Sequence, residues 1–210
     1  MSPRFSLPAA SLLLGLLLSG NAACAAEFEA NPCNIDDAWS DLTGKAMQRA
    51  AEAGHASAQF NLAIDYDEGS NGFPQDDERA VYWYLQAAKQ GHLCAQYNLA
   101  YSYDNGEGVA EDDVQAVHWY TRAAEQGDSD AQYNLALSYE EGTGVAQDYA
   151  QALTWYMRSA EQGDPDAQFA VGTYHEQGLS VPEDAELARS WYQKAAMQGH
   201  LGAARALKNL

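Results

Sequence analysis

The chain has 210 residues, 47% of them apolar, with 30 Asp and Glu against 11 Lys and Arg and a formal net charge of −19. That length suits one domain of ordinary size. The acidity argues against nucleic acid and anionic membrane surfaces as partners, and it favours solubility and basic or neutral partners.

The first element is residues 1–26, which read as a signal peptide. Arg4 supplies a small positive region, residues 7–18 a leucine-rich apolar core, and "NAACAAEFEA" the small residues of a cleavage site after Ala25 or Ala26. The apolar run is too short to span a bilayer, so the expectation is export and cleavage, with a periplasmic or secreted product and no stable membrane insertion. Lipid attachment at Cys24 is the lesser alternative, because Asn21 stands where a lipobox carries an apolar residue. Cleavage removes only Arg4 from the charged set, leaving 30 acidic against 10 basic residues. It also leaves two cysteines, Cys33 and Cys94, in an oxidising compartment. They could pair as a disulfide. Two separate thiols are favoured, because Cys94 is embedded in a repeat and Cys33 lies outside them.

Residues 27–53 form an N-terminal segment ending in a degenerate leading helix over residues 35–53, with Ala46 and Met47 where later units carry Trp-Tyr. Periodicity then takes over. "AQFNLAIDYDEG", "AQYNLAYSYDNG", "AQYNLALSYEEG" and "AQFAVGTYHEQG" recur, each followed by a second segment such as "VHWYTRAAEQG". The boundary glycines Gly54, Gly91, Gly127, Gly163 and Gly199 are separated by 37, 36, 36 and 36 residues, giving units 54–90, 91–126, 127–162 and 163–198. Each unit reads as two helices. Asp164 and Pro165 are an N-cap and a first-turn proline. Gly69, Gly106, Gly142 and Gly178 sit where helix A needs a left-handed cap, and Asp76, Asp112, Asp148 and Asp184 cap helix B. Tryptophan and tyrosine in each helix B supply large apolar surface, and paired alanines behind them permit close helix approach. Residues 199–210 begin another helix A, but Arg205 and Lys208 replace packing residues, so this element reads as a C-terminal cap.

The motifs "AQYNLA", "Y-x-x-G-x-G-V", "WY-x-x-AA" and "QG" together resemble Sel-1-like repeats, a subclass of tetratricopeptide-type helical repeats, over residues 54–199. The resemblance implies an all-α fold, a right-handed α-solenoid of helix-turn-helix repeats with capping helices at both ends. It also implies a non-catalytic scaffold of the bacterial cell envelope that binds a partner protein or peptide. The solenoid follows from the residues as well, since one helix pair cannot bury its aromatic face alone.

Counted from each boundary glycine, offsets 4, 8 and 9 of helix A are small or aliphatic core positions, and offsets 3, 6, 10 and 13 form one further stripe. In tetratricopeptide-type proteins the equivalent stripe lines the ligand groove. Carried over, that groove has Phe60, Tyr97, Tyr133 and Phe169 on its floor, then Ile64, Tyr101, Leu137 and Thr173, and an acidic rim of Asp67, Asp104, Glu140 and Glu176. Four helices about 20 Å long at about 10 Å spacing offer about 800 Å², one partner's share of a standard interface. The expected partner is a peptide or loop with apolar and basic residues.

Chemistry finds less support. His55, His92 and His200 occupy a helix-start slot that Asp128 and Asp164 fill elsewhere, and His175 replaces a repeated tyrosine. No serine precedes a lysine by three residues, no paired Cys or His pattern suggests zinc, and no cofactor is expected. Cysteine-rich exported relatives suggest a β-lactam-binding or hydrolysing enzyme as the alternative, but the cysteine pairs of those proteins are missing. "DEGSNGFPQDDE" approaches a calcium loop with Asp67, Asn71 and Glu78 as ligands. However, Gly69 stands at a ligand position, and the repeat register gives these residues structural tasks.

Overall fold

The computed structural model describes residues 44–210. Ten α-helices follow one another among the described residues: α1 Lys45–Glu52, α2 Ala56–Glu68, α3 Asp77–Lys89, α4 Leu93–Asn105, α5 Asp113–Glu125, α6 Ser129–Glu141, α7 Tyr149–Glu161, α8 Pro165–Gln177, α9 Ala185–Met197 and α10 Leu201–Asn209. Each packs on its predecessor and its successor, which is the connectivity of an α-solenoid. Helices α2, α4, α6 and α8 are the A helices, and α3, α5, α7 and α9 the B helices. The proposed signal peptide, with Cys24, Ala25 and Ala26, and Cys33 lie outside the described residues.

Local chemistry sets the boundaries where the sequence placed them. The B-helix cap Asp112 accepts from the Gln115 amide at 3.1 Å, Asp76 from Arg79 at 3.0 Å and Asp184 from Leu187 at 2.9 Å. Gly69, Gly106, Gly142 and Gly178 close the A helices at φ 67–77°. The shared first slot of helix A is also a side-chain cap in α4, α6, α8 and α10. Asp128 and Asp164 accept from Ala131 and Ala167, while His92 and His200 do the same through Nδ1, from Ala95 and Ala203.

Packing follows the offsets. Ala58, Leu62, Ala63 and their counterparts in α4 and α6 have no exposed surface, and Tyr84, Tyr120, Tyr156 and Tyr192 of the B helices are buried at 1–2% exposure. In the last repeat Gly172 takes the alanine position. A methyl group there would lie 2.6 Å from the Tyr192 ring, so the missing side chain lets that ring sit against α8.

A buried amide ladder joins the repeats. Gln59, Gln96, Gln132 and Gln168 of the "AQ" motif donate to the carbonyls of Ala51, Ala88, Ala124 and Ala160 in the preceding helix, at 3.0–3.1 Å. Each also accepts from the glutamine of the "QG" motif that closes its own repeat, Gln90, Gln126, Gln162 and Gln198, at 2.6–2.9 Å. Both motifs are thereby explained: one glutamine crosses the repeat boundary, and the other fixes its orientation.

The loops between helices A and B also reach back. At Gly108 and Gly144 an added Cβ would lie 2.2 Å from the carbonyl oxygens of Asp77 and Asp113, the first residues of the preceding B helices. Ser180 takes the same slot in the last repeat at φ 59°, and its hydroxyl donates to the Tyr149 carbonyl at 3.3 Å. In the first repeat the slot belongs to Asn71 at φ 50°, followed by the additional residue Gly72. The buried Asp65 carboxylate accepts from the Ser70 hydroxyl at 3.0 Å and the Asn71 amide at 2.6 Å, and Phe73 packs on Tyr66 at 4.9 Å between ring centroids.

Candidate functional site: the face of the A helices

The stripe at offsets 6, 10 and 13 is more constrained than a bare groove would be. Each floor ring packs on the helix B tyrosine of its own repeat: Phe60 on Tyr84, Tyr97 on Tyr120, Tyr133 on Tyr156 and Phe169 on Tyr192, with centroids 5.4–5.9 Å apart. Phe60 is only 4% exposed, because the His92 ring stacks on its other side at 4.6 Å. This corrects its assignment as groove lining: Phe60 is core. Phe169 is half-buried beneath His200 at 4.5 Å. Tyr97 and Tyr133 keep partly open surfaces, as do Ile64, Leu137 and Thr173, and Tyr101 is 44% exposed.

The acidic row exists, and each member has a partner that the sequence reading missed. The tyrosine of each Trp-Tyr pair donates its hydroxyl to it: Tyr84 to Asp67 at 3.2 Å, Tyr120 to Asp104 at 3.3 Å, Tyr156 to Glu140 at 2.5 Å and Tyr192 to Glu176 at 2.6 Å. The spacing of 16 or 17 residues between acid and tyrosine recurs in every repeat and was the available signal. One carboxylate oxygen is therefore committed in each repeat, while Asp67, Asp104 and Glu176 remain exposed and Glu140 half-buried. Burial pushes the Tyr120 and Tyr156 hydroxyls well up and the neighbouring acids add to the shift, so both phenols stay protonated donors. Burial also raises the Asp104 carboxyl above the ordinary range.

Charge is segregated between the two helix sets. The four A helices carry nine Asp and Glu and no Lys or Arg, and the A–B loops add none of either basic residue. All ten Lys and Arg among the described residues lie on the B helices and the two terminal helices. Lys194 and Arg158 lie over Trp191 and Trp155, at 3.5 and 4.3 Å from the ring centroids. His200 Nε2 lies 3.1 Å from Asp166 Oδ1, while its Nδ1 accepts from the Ala203 amide and caps α10.

The remaining candidates fall into structural roles. Asp67 accepts from Tyr84, Asn71 donates to Asp65, and Glu78 is exposed in the first turn of α3. Among the described residues, no group of three or more His, Cys, Asp or Glu is arranged to hold a metal ion. Cys94 is disulfide-bonded, which corrects the preference for separate thiols. No described helix is long and apolar enough to cross a membrane.

Comparison with known proteins agrees with this architecture. The Sel1 repeat pattern matches residues 56–92, 95–128, 129–164 and 165–200. The chain is similar to the crystal structure of c5321, a protective antigen of uropathogenic Escherichia coli with an SLR fold, at 40% identity and a TM-score of 0.73 over 77% of this chain. It spans only 34% of that protein. A Sel1 repeat protein from Oxalobacter formigenes is 36% identical with a TM-score of 0.73, over 78% of this chain and 68% of that one. Comparison with curated proteins finds no match. With four matched repeats covering most of its length, the chain belongs to the Sel1 repeat family.

Proposed function

We propose that this protein is a non-catalytic interaction scaffold of the bacterial cell envelope, exported by its N-terminal segment, which binds a partner peptide or protein on the face of its A helices. The observation that carries the reading is the charge segregation. A face with half-open Tyr97, Tyr101 and Tyr133, a row of Asp67, Asp104, Glu140 and Glu176, and no Lys or Arg suits a partner segment with basic and apolar residues. Membership in a family of solenoids that typically act as protein scaffolds supports the binding role.

The test is capture from envelope extract with the purified mature protein, repeated with Asp104→Lys and Glu140→Lys together. Reversal should abolish retention of the captured partner, and unchanged capture sinks the acidic-face reading. Fractionation should place a product cleaved after Ala25 or Ala26 in the periplasm or medium, and an uncleaved cytoplasmic product contradicts export. Turnover of nitrocefin by the purified protein would overturn the non-catalytic assignment.

A further inference from the structure

The four floor rings divide into two kinds, and their neighbours divide with them. Phe60 and Phe169 are each covered by an imidazole from the next repeat, His92 and His200, at 4.6 and 4.5 Å. Tyr97 and Tyr133 have no such cover: the next repeat supplies Asp128 and Asp164 in that slot, and each carboxylate turns back to cap its own helix. Two residues further on, the pattern repeats. Exposed Asp130 and Asp166 follow the tyrosine rings, whereas Cys94 and Gly202 follow the phenylalanines. Helix-start acids are favoured by the helix dipole wherever they occur. That preference does not explain why both acids accompany only the tyrosines.

We propose that the two central repeats form a pair of cation subsites, which seat two lysine or arginine side chains of one extended partner segment over Tyr97 and Tyr133, with two residues between them. The proposal rests on the scaffold reading above and specifies the chemistry of its ligand. An aromatic face attracts a cation through its quadrupole, and nearby carboxylates add direct charge attraction. At Tyr133 the charges of Asp166, Asp164 and Glu140 all bear on the phenol, and at Tyr97 those of Asp130 and Asp128. His200 holds Asp166 at the edge of its subsite. The outer positions close the row at either end, because their rings are already stacked. Packed helices lie about 10 Å apart, which sets the scale between neighbouring A helices, and an extended chain advances about 3.3 Å per residue. Successive subsites therefore match every third residue.

The experiment uses fluorescein-labelled peptides of otherwise uncharged residues, carrying two lysines separated by one, two or four residues, with a single-lysine peptide as reference. Fluorescence anisotropy with the mature protein should show the two-residue spacing binding at least about tenfold more tightly than the single lysine, and added salt should weaken it. Asp130→Asn combined with Asp166→Asn should remove that advantage. Both residues are exposed, and the amide oxygen introduced by Asp166→Asn can still accept from His200, so an unchanged melting temperature separates lost binding from lost folding. Equal affinity at all spacings, no binding, or an unaffected double variant each overturns the proposal. The scaffold reading fails separately: an envelope partner that depends on Asp104 and Glu140 but shows no lysine spacing keeps the scaffold and removes the paired subsites.

Discussion

Replacing Gln132 tests whether the amide ladder is what couples one repeat to the next. Gln132 is 4% exposed, donates to the Ala124 carbonyl at 3.1 Å and accepts from Gln162 at 2.8 Å. In Gln132→Leu both bonds are lost, each worth about 1 kcal/mol net. The consequences are softened because Ala124 still accepts from Gly127 and Gln162 is exposed to water. Added apolar burial offsets part of the remainder, leaving a cost of about 1 kcal/mol. Gln132→Glu has nearly the same shape but turns an acceptor toward a carbonyl in a buried site, which should cost about 3 kcal/mol at neutral pH. Acidification should recover much of that, since a protonated carboxyl can donate to Ala124 again. Urea unfolding followed by circular dichroism and by tryptophan fluorescence reads both quantities. Because a solenoid's stability is a sum of repeat and interface contributions, the Glu variant should also broaden or split the transition. Two variants equal to each other and within about 0.5 kcal/mol of the parent would refute the ladder as a coupling element.

Three further outcomes follow from the same contacts. Gly144→Ala places a methyl 2.2 Å from the Asp113 carbonyl at φ 69°, so it should destabilise by about 3 kcal/mol. Ser180→Gly, in the same slot, should lie within about 1 kcal/mol of the parent, because it exchanges a hydrogen bond for relief of strain; urea midpoints compare them. Asp104, Asp128 and Asp164 are all raised above the ordinary carboxylate range, each chiefly by burial, so the folded chain holds protons that the unfolded chain has released. Their contribution is present at low pH and is lost as pH rises through the raised values. The melting temperature should therefore rise on acidification from neutrality toward the carboxylate range, and Asp128→Asn with Asp164→Asn should flatten that rise; a parent that loses stability steadily over the same window refutes it. If Cys33 is the partner of Cys94, alkylation of the denatured, unreduced mature protein should modify no thiol and Cys33→Ser should expose one, as mass spectrometry would show.

Most of the fold was legible because its determinants are local. Asp112 and its counterparts cap helices through an amide three residues away, and Gly142 and its counterparts supply a backbone conformation other residues avoid. Four copies made each such position its own control. The ladder was visible as the letters "AQ" and "QG" but not as an interaction, since its two glutamines stand 30 or 31 residues apart and meet only after the helices pack. The candidate face was half legible for the same reason. Periodicity places Asp104 and Tyr97 on one stripe, but it cannot show that the Tyr120 hydroxyl takes up one oxygen of that acid, or that His92 covers Phe60. Exposure at a solenoid face depends on the next repeat, and the residue that decides it is the first of that repeat.

The loop after α2 shows how the same residue types serve a turn and a metal site. A calcium loop needs oxygen-bearing side chains and a residue free to adopt positive φ. So does a helix end followed by a tight loop, where carboxylates accept from side chains and amides instead of coordinating an ion. Here Asp65, absent from the calcium pattern, is the organising acid: Ser70 and Asn71 both donate to it, and Asn71 adopts the left-handed conformation that Gly108 and Gly144 supply elsewhere. In those later loops a side chain at that slot would collide with the preceding helix B. In the first repeat that position faces Gly44, just before the short α1: a Cβ on Gly44 would still be 3.7 Å from the Asn71 carbonyl oxygen. The longer loop is thus the form the turn takes where the constraint of a full preceding helix is lifted, with Gly72 as the added residue and Phe73 laid over Tyr66 to cover the end of the core.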